Sequence, residues 1–145
     1  MVKKLYEASS HGVRIDLLVR GNCSLITGVP GVSDTIRING IIDRYLEHSR
    51  IFIFANGGDE KMFIGSADWM PRNLDNRVEV IAPVYDPEIK ADLKRVVEYG
   101  LKDTLQGRVV DGTGENRPWI SEDKTAFRSQ EELYKYYFCL LYTSP

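Results

Sequence analysis

Apolar residues along the chain fall into short blocks, some repeating every three or four positions as in helices and others alternating or continuous as in strands. Residues 1–8 carry a helical repeat, and Gly12 can take the left-handed geometry that ends helices. Residues 13–19 alternate and then run apolar, which predicts a mostly buried strand. Residues 21–33 contain three glycines and Pro30, so we expect a long loop there.

The middle of the chain predicts one helix followed by a β-hairpin. Between residues 36 and 47, apolar side chains recur at three- and four-residue spacing, which is typical of a helix with one buried face. This interpretation places His48 at the C-terminal end of that helix. Residues 50–54 and 61–65 are rich in β-branched and aromatic side chains and flank a turn at 56–59, so they predict two antiparallel strands.

Beyond the hairpin the pattern predicts a connection, a strand and a helix. Residues 68–76 are polar and contain a proline, residues 77–84 alternate as in a strand, and residues 86–102 carry an apolar stripe with helical spacing. Strands that alternate with helices indicate an α/β fold, and 145 residues suffice for one domain. We therefore expect a single α/β domain in which helices flank a layered sheet.

The end of the chain is less regular. From residue 111 to 123 it is polar, with Trp119 as the one large anchor, and Ser129 then has the context of a helix N-cap. We expect a main domain over residues 1–110 and an irregular segment with a short helix over residues 111–145. Residues 138–145 are apolar without an amphipathic repeat, so we expect a truncated or wrongly translated end outside the fold.

Composition and charge narrow the function classes. The formal net charge is −2, so non-specific nucleic-acid binding is disfavoured and any anion site must come from a local group of arginines. No apolar run approaches the roughly 20 residues of a membrane-spanning helix. Cys23 and Cys139 lie far apart without partners at metal-ligand spacing, which argues against a disulfide framework or a zinc site. Because no signal-peptide pattern is present, we expect a cytoplasmic protein.

Candidate chemistry is concentrated around His48. A lone histidine is more often a surface or capping residue than a catalyst, but here several arginines and a stretch of small residues at 65–68 accompany it. Guanidinium groups and the backbone amides of small residues both bind phosphate oxygens. The arginines concerned are Arg44, Arg50, Arg72 and Arg77. This combination predicts a phosphate site.

A second candidate, Arg20, follows the first predicted strand, where α/β sheets commonly bind ligands. The alternative for Arg20 is an ordinary surface residue. The alternative for Arg77 is an exposed ion pair with Asp75 or Glu79. His11 lies beside the glycine that ends the first helix, so we expect a solvent-facing cap rather than a catalytic role.

Common catalytic motifs are absent from the sequence. Residues 27–31 lack the Gly-Lys-Ser/Thr ending of a P-loop, and no Gly-x-Ser-x-Gly or His-Glu-x-x-His pattern occurs. Two histidines are too few for a multi-histidine metal centre. Trp69 and Trp119 are expected to be packing anchors.

Four segments carry a resemblance to a known family. They are residues 15–21, 29–37, 42–50 and 66–80, of which the last two are long and unusual in composition. In these segments the chain resembles the last catalytic domain of the histidine-phosphorylating polyphosphate kinases, over most of residues 5–107. The resemblance implies a phospholipase-D-like α/β fold.

Phospholipase-D-like sites pair two halves, each with a His-x-Lys and a Gly-Ser-x-Asn element around one phosphate. Residues 48–50, His-Ser-Arg, stand at the first element, and residues 65–68, Gly-Ser-Ala-Asp, stand at the second. Arginine thus replaces lysine, and aspartate replaces asparagine. These departures argue against phosphodiester hydrolysis.

The resemblance also implies roles for individual residues. In the family, the histidine that becomes phosphorylated lies in the preceding domain, and the residue that matches His48 faces it across the site. Arginines that match Arg20 and Arg77 hold the phosphates of nucleotide or polyphosphate. His48 would then act as acid or base toward the leaving oxygen. Arg50 and Arg72 are lesser candidates for phosphate binding.

The implied reaction is the reversible transfer of the terminal phosphate of ATP to inorganic polyphosphate through a phosphohistidine. It would use ATP, ADP and Mg²⁺, whose binding residues we expect mainly outside this chain. The missing N-terminal domains of the same enzyme would supply the nucleophile. We expect the complete enzyme to be a cytoplasmic homo-oligomer that can also associate with membranes. We expect this chain alone to be inactive.

Two rival functions are compatible with the same residues. One is a phospholipase-D-type phosphodiesterase or nuclease that works as a homodimer, with one histidine from each chain. The other is a non-catalytic phosphate-binding module, in which the arginines bind and His48 is dispensable.

Overall fold

The computed structural model describes residues 1–120 and 125–143, with side chains up to residue 140. Contacts divide the chain into two compact units, Met1–Leu46 with Glu98–Pro145, and Glu47–Val97. The elements are α1 (Val2–Ser10), β1 (Ile15–Val19), β2 (Ile36–Ile41), β3 (Ile51–Phe54), β4 (Lys61–Gly65), α2 (Pro71–Asn76), β5 (Ile81–Val84), α3 (Pro87–Lys102), β6 (Gly107–Val109) and α4 (Ser129–Thr143). Within the described ranges, the helices all fall short of the length and apolar character that crossing a membrane requires.

The first unit is built on a three-stranded sheet in the order β1-β2-β6. β1 and β2 run parallel, with Ile15 opposite Ile36, and β6 pairs antiparallel with β2. Because β2 is the central strand, it buries residues on both faces. Leu25, Ile36 and Ile38 form the core, and Leu5 packs α1 against it. The predicted first helix and first strand are confirmed within two residues at each end.

The prediction of a helix over residues 36–47 is wrong. The segment forms β2 and then an irregular stretch that leads to β3. Ile42, Tyr45 and Leu46, which contributed to the helical repeat, are 75%, 59% and 72% exposed, so the expected apolar stripe is not buried. Ladder hydrogen bonds on both sides and burial of both faces favour the extended conformation here over the local helical spacing.

β6 has three residues, too few to show a period, and sequence patterns do not predict it. Its first residue, Gly107, is tightly enclosed. A Cβ atom there would collide with the carbonyl oxygen of Asp103 and lie 2.7 Å from Asn39 Oδ1.

Replacing Gly107 by alanine should lower the free energy of unfolding by about 2 kcal/mol, because backbone must shift to admit the methyl group. Urea denaturation of the purified chain measures the change. The control is Gly21→Ala, where a Cβ would have no heavy atom within 4 Å. Equal stability losses in the two variants would contradict the expected crowding at Gly107.

The second unit contains the hairpin that the sequence predicts. β3 and β4 pair antiparallel, with Ile51 opposite Ile64, and β5 pairs antiparallel with β4 in the order β3-β4-β5. The connection is a 3₁₀ turn, Asn56–Gly58, in which Gly57 has φ +64°. The expected turn at 56–59 is therefore confirmed. Phe52 stacks on Trp69 at 5.3 Å between ring centroids, which confirms Trp69 as a packing anchor.

Two predictions for residues 68–84 need correction. The expected connection at 68–76 contains a short helix, α2, which starts at Pro71, because proline favours the first helical turn. The strand expected over 77–84 forms only at Ile81–Val84. Val78 and Val80 are 100% and 66% exposed and Ala82 is also exposed, so the predicted apolar face is not buried, and Val84 is the one buried apolar residue of the segment.

The last two helices differ in how well the sequence predicts them. α3 begins and ends as expected. α4 runs over 15 residues instead of forming a short helix, and residues 138–143, expected outside the fold, continue it. Residues 121–124 of the expected irregular segment lie outside the described residues, as do 144 and 145. Trp119 is buried and donates from Nε1 to the Leu101 carbonyl at 2.9 Å, which confirms it as an anchor. The boundary at residue 110 stays a prediction.

Candidate phosphate site

The pairing of β3, β4 and β5 brings distant parts of the sequence to one end of the sheet. Arg50 precedes β3 and its carbonyl accepts a hydrogen bond from Gly65 at the end of β4, at 3.0 Å. The next amide, Ser66 N–H, donates to the Val80 carbonyl just before β5, also at 3.0 Å. We call this end of the sheet the polar edge, defined by His48, Arg50, Ser66, Asp68, Arg77 and Glu79.

Within the polar edge, Arg50 and Asp68, the two residues that differ from the phospholipase-D-like elements, contact each other. Arg50 Nε donates to Asp68 Oδ1 at 3.0 Å, and the two side chains are 22% and 26% exposed. Arg50 Nη1 also donates to the His48 carbonyl at 3.1 Å. The arginine and the aspartate therefore form a half-buried ion pair that ties the first element to the second. The Asp68 carboxylate neutralises part of the Arg50 charge inside the chain. A phosphate-binding role for Arg50 stays a prediction.

Glu79 is the member of the polar edge that sequence reasoning considered only as a partner of Arg77. The Ser66 hydroxyl donates to Glu79 and accepts from the Val80 amide at 3.1 Å, and Asn73 Nδ2 donates to Glu79 Oε1 at 2.9 Å. Hydrogen bonds from Ser66 and then Asn73 lower the pKa of Glu79, and the charges of Arg77 and Arg50 add to the effect. The one sequence signal that concerns Glu79 is the alternation of residues 77–80. It does not indicate a contact with Ser66 or Asn73.

His48 is exposed and lies in the irregular stretch between β2 and β3, not at a helix end as predicted. Its carbonyl is held by Arg50, while its imidazole is open to solvent. Arg72 lies in α2 and Arg77 directly follows that helix, and both side chains are exposed. The polar edge thus contains an exposed imidazole and the exposed guanidinium group of Arg77, side chains that suit a phosphate.

Arg20 lies in the first unit, directly after β1. Because β1 and β2 are parallel, their carboxyl ends meet at one edge of that sheet, as the prediction for Arg20 requires. A pocket of about 290 Å³ opens there, lined by residues that include Val19, Gly21 and Gly40. Convergence of Arg20 with His48 and Arg77 stays a prediction.

The described residues contain no group of three or more His, Cys, Asp or Glu side chains that could hold a metal ion. The two carboxylates of the polar edge, Asp68 and Glu79, already accept hydrogen bonds from Arg50, Ser66 and Asn73. His11 is exposed, with Nδ1 at 2.8 Å from the Glu7 carbonyl, which confirms the expected helix cap.

Comparisons with known proteins agree on one family. The family described as polyphosphate kinase C-terminal domain 2 matches residues 1–130. A polyphosphate kinase from Klebsiella pneumoniae is 46% identical over 136 residues, which are 94% of this chain and 20% of that protein. One from Thermosynechococcus vestitus is 55% identical over 119 residues, 81% of this chain and 16% of that protein.

A solved structure shows the same relationship in three dimensions. The crystal structure of polyphosphate kinase from Porphyromonas gingivalis matches with a TM-score of 0.90 and 41% identity, and the match covers 99% of this chain and 22% of that one. The predicted α/β, phospholipase-D-like class is thereby confirmed. The chain spans about a fifth of the length of the curated relatives it matches. On this evidence the chain belongs to the polyphosphate kinase family, as its C-terminal domain 2.

Proposed function

We propose that this chain supplies one side of the active site of an ATP:polyphosphate phosphotransferase. The reaction transfers the terminal phosphate of ATP reversibly to inorganic polyphosphate, through a phosphohistidine on a preceding domain. The observation that supports the proposal is the polar edge, where β-pairing gathers His48, Ser66 and Arg77 at one end of the second unit's sheet. Relatives named polyphosphate kinase match nearly the whole chain.

Phosphoryl transfer requires positioning and neutralisation of charge more than covalent work by the protein. When the phosphorus–oxygen bond to ADP breaks, a phosphorus–nitrogen bond forms on the histidine of the preceding domain. That bond breaks in turn when the terminal oxygen of polyphosphate takes the phosphoryl group. Arg20 and Arg77 neutralise the phosphate oxygens, because a guanidinium stays charged and donates two parallel hydrogen bonds. His48 exchanges a proton with the leaving or entering oxygen.

The Arg50–Asp68 ion pair weighs against the phosphodiesterase rival. In a His-x-Lys and Gly-Ser-x-Asn site, a lysine and a neutral amide both donate to the phosphate. Here a carboxylate occupies the amide position and engages the arginine at 3.0 Å. The two positions that donate to a diester in that site are thus engaged with each other, so direct attack of His48 on a diester is disfavoured.

Other parts of the site belong to the rest of the enzyme in this proposal. We place magnesium and most nucleotide contacts in other domains, because both carboxylates of the polar edge already accept hydrogen bonds within this chain. Those domains also contain the nucleophilic histidine. The complete enzyme is a cytoplasmic homo-oligomer that associates with membranes, and no nucleic acid takes part.

A chimera tests the proposal. In the Klebsiella pneumoniae polyphosphate kinase, the 136 matching residues are replaced by those of this chain. We expect the chimera to convert ATP to polyphosphate and the purified chain alone to show no turnover, because the chain has only one side of the site. The same enzyme without the 136 residues gives the background. Turnover by the chain alone would contradict the half-site, and a folded but inactive chimera would contradict the proposed function.

A further inference from the structure

The segment that carries His48 has no regular structure of its own. Residues 42–50 form neither helix nor strand, although a general acid or base must be held close to its reacting atom. Two residues of this segment, Asp43 and Tyr45, are held by side chains at the start of α4, and all of these residues belong to the first unit. The contacts involve Arg128 and Gln130, to which the sequence assigns no function.

Arg128 holds Asp43 with both arms of its guanidinium group. Nε donates to Asp43 Oδ2 at 2.9 Å and Nη2 donates to Oδ1 at 2.6 Å. The Asp43 side chain is 3% exposed, so the pair is shielded from water on the carboxylate side. The Arg128 hydrogen bond lowers the pKa of Asp43 and keeps that carboxyl group ionised near neutral pH. A bidentate pair of this kind restricts orientation as well as distance.

Gln130 holds the backbone of Tyr45 as a neighbouring strand would. Its Oε1 accepts from the Tyr45 amide at 2.9 Å, and its Nε2 donates to the Tyr45 carbonyl at 2.7 Å. The Gln130 side chain is buried. One side-chain amide thus satisfies both backbone groups of a residue that has no ladder partner of its own.

The start of α4 is itself fixed to the body of the first unit. Asp103, which is fully buried, accepts at Oδ2 from the Ser129 amide at 2.8 Å and from the Ser129 hydroxyl at 2.7 Å. Its Oδ1 accepts from the amides of Leu105 and Gln106 at 3.1 and 2.8 Å. Arg128 and Gln130 flank Ser129 directly, so both are next to a residue that Asp103 holds with two hydrogen bonds.

We infer that Arg128 and Gln130 are positioning residues for His48, an inference that rests on the proposed role of that histidine. His48 follows Tyr45 by three residues, which span at most about 11 Å when extended. Holding Tyr45 and Asp43 therefore limits, through the chain itself, how far the His48 backbone can move from them. On the other side of His48, its own carbonyl is held by Arg50 at 3.1 Å.

A double-mutant cycle in the chimera tests this inference. Gln130→Ala removes both bonds to Tyr45, and Arg128→Lys keeps the charge but loses the two-armed contact. Each should lower kcat about tenfold with the KM for ATP little changed, because misplacement of a catalytic group slows chemistry more than binding. In a His48→Ala background, neither change should lower kcat further, since residues that act as a unit are non-additive.

The matched control is Arg117→Lys, which alters the ion pair between the exposed Arg117 side chain and Asp111 in the same unit and should leave kcat unchanged in both backgrounds. A merely structural role for Gln130 would lower kcat by the same factor with and without His48, which would overturn the inference alone. An unchanged kcat after His48→Ala would overturn the proposed role of His48 and this inference with it.

A measurement on the chain itself does not depend on the chimera. Gln130→Ala should raise the rate of hydrogen–deuterium exchange at the Tyr45 amide, whose hydrogen bond it removes, while Arg117→Lys should not. Unchanged exchange at this amide would show that α4 does not hold it, and would overturn the inference. If Arg128→Lys fails to fold, Gln130→Ala carries both measurements.

Discussion

Replacing His48 by alanine in the chimera should lower kcat for polyphosphate synthesis by a factor of about 100 or more, because general acid–base catalysis by a positioned side chain contributes at least that much. The imidazole is exposed at the polar edge, with Arg72 and Arg77 in the same unit. Steady-state assays with ATP over a range of pH give kcat and KM. The KM for ATP should change little, since the arginines carry the charge of the phosphates.

His11→Ala is the matched control for this experiment. It removes the other histidine of the chain, which is also exposed and serves as a helix cap, so kcat should be unchanged. A loss of less than about threefold after His48→Ala would assign His48 a structural role, because an acid or base catalyst contributes far more. The binding-module rival predicts that small loss.

Replacing Asp103 by alanine should lower the free energy of unfolding by about 3 kcal/mol, because several buried donors lose their acceptor at once. The carboxylate accepts four hydrogen bonds, two from Ser129 and one each from the amides of Leu105 and Gln106. With Asp103 fully buried, water cannot replace those bonds without opening the structure. Urea denaturation of the purified chain measures the change.

Asp103→Asn should recover part of the stability, because its carbonyl oxygen still accepts while its amide nitrogen cannot. The control is Asp34→Ala in the same unit, an exposed residue that accepts one bond from the Gly31 amide. In this control the free energy of unfolding should fall by less than about 1 kcal/mol. Losses of equal size at positions 103 and 34 would show that the buried network does not stabilise the α4 start.

Elements with a strong local signal could be predicted from the sequence. α3 has a long apolar stripe, and the β3–β4 hairpin has two apolar runs around a glycine-rich turn, so local pattern and tertiary environment agree. β2 could not be predicted, because its apolar spacing suits a helix equally well and its strand form depends on β1 and β6. β6 itself is too short to carry a period.

The candidate site divides in the same way. The residue types predict the kind of ligand, because a histidine, arginines and small residues are typical of a phosphate site. The family resemblance singled out His48 and Arg77. The pairing of Arg50 with Asp68 was not predicted. Each residue, compared alone with the phospholipase-D-like elements, indicates only that the usual phosphate donor has been replaced. The Ser66–Glu79 contact was also missed, since 13 positions separate residues that β-pairing brings together.

The sequence by itself determined the α/β class, the hairpin and the long helix, because periodicity is a local property. It also predicts an anionic ligand, from side-chain chemistry alone. Only the tertiary structure decided that β2 is a strand and that Arg50 and Asp68 form one ion pair. It also decided that Arg128 contacts Asp43 and that Gln130 contacts Tyr45. The physical reason is that hydrogen bonds and burial between distant residues depend on which strands and helices pack together. No local pattern records that choice.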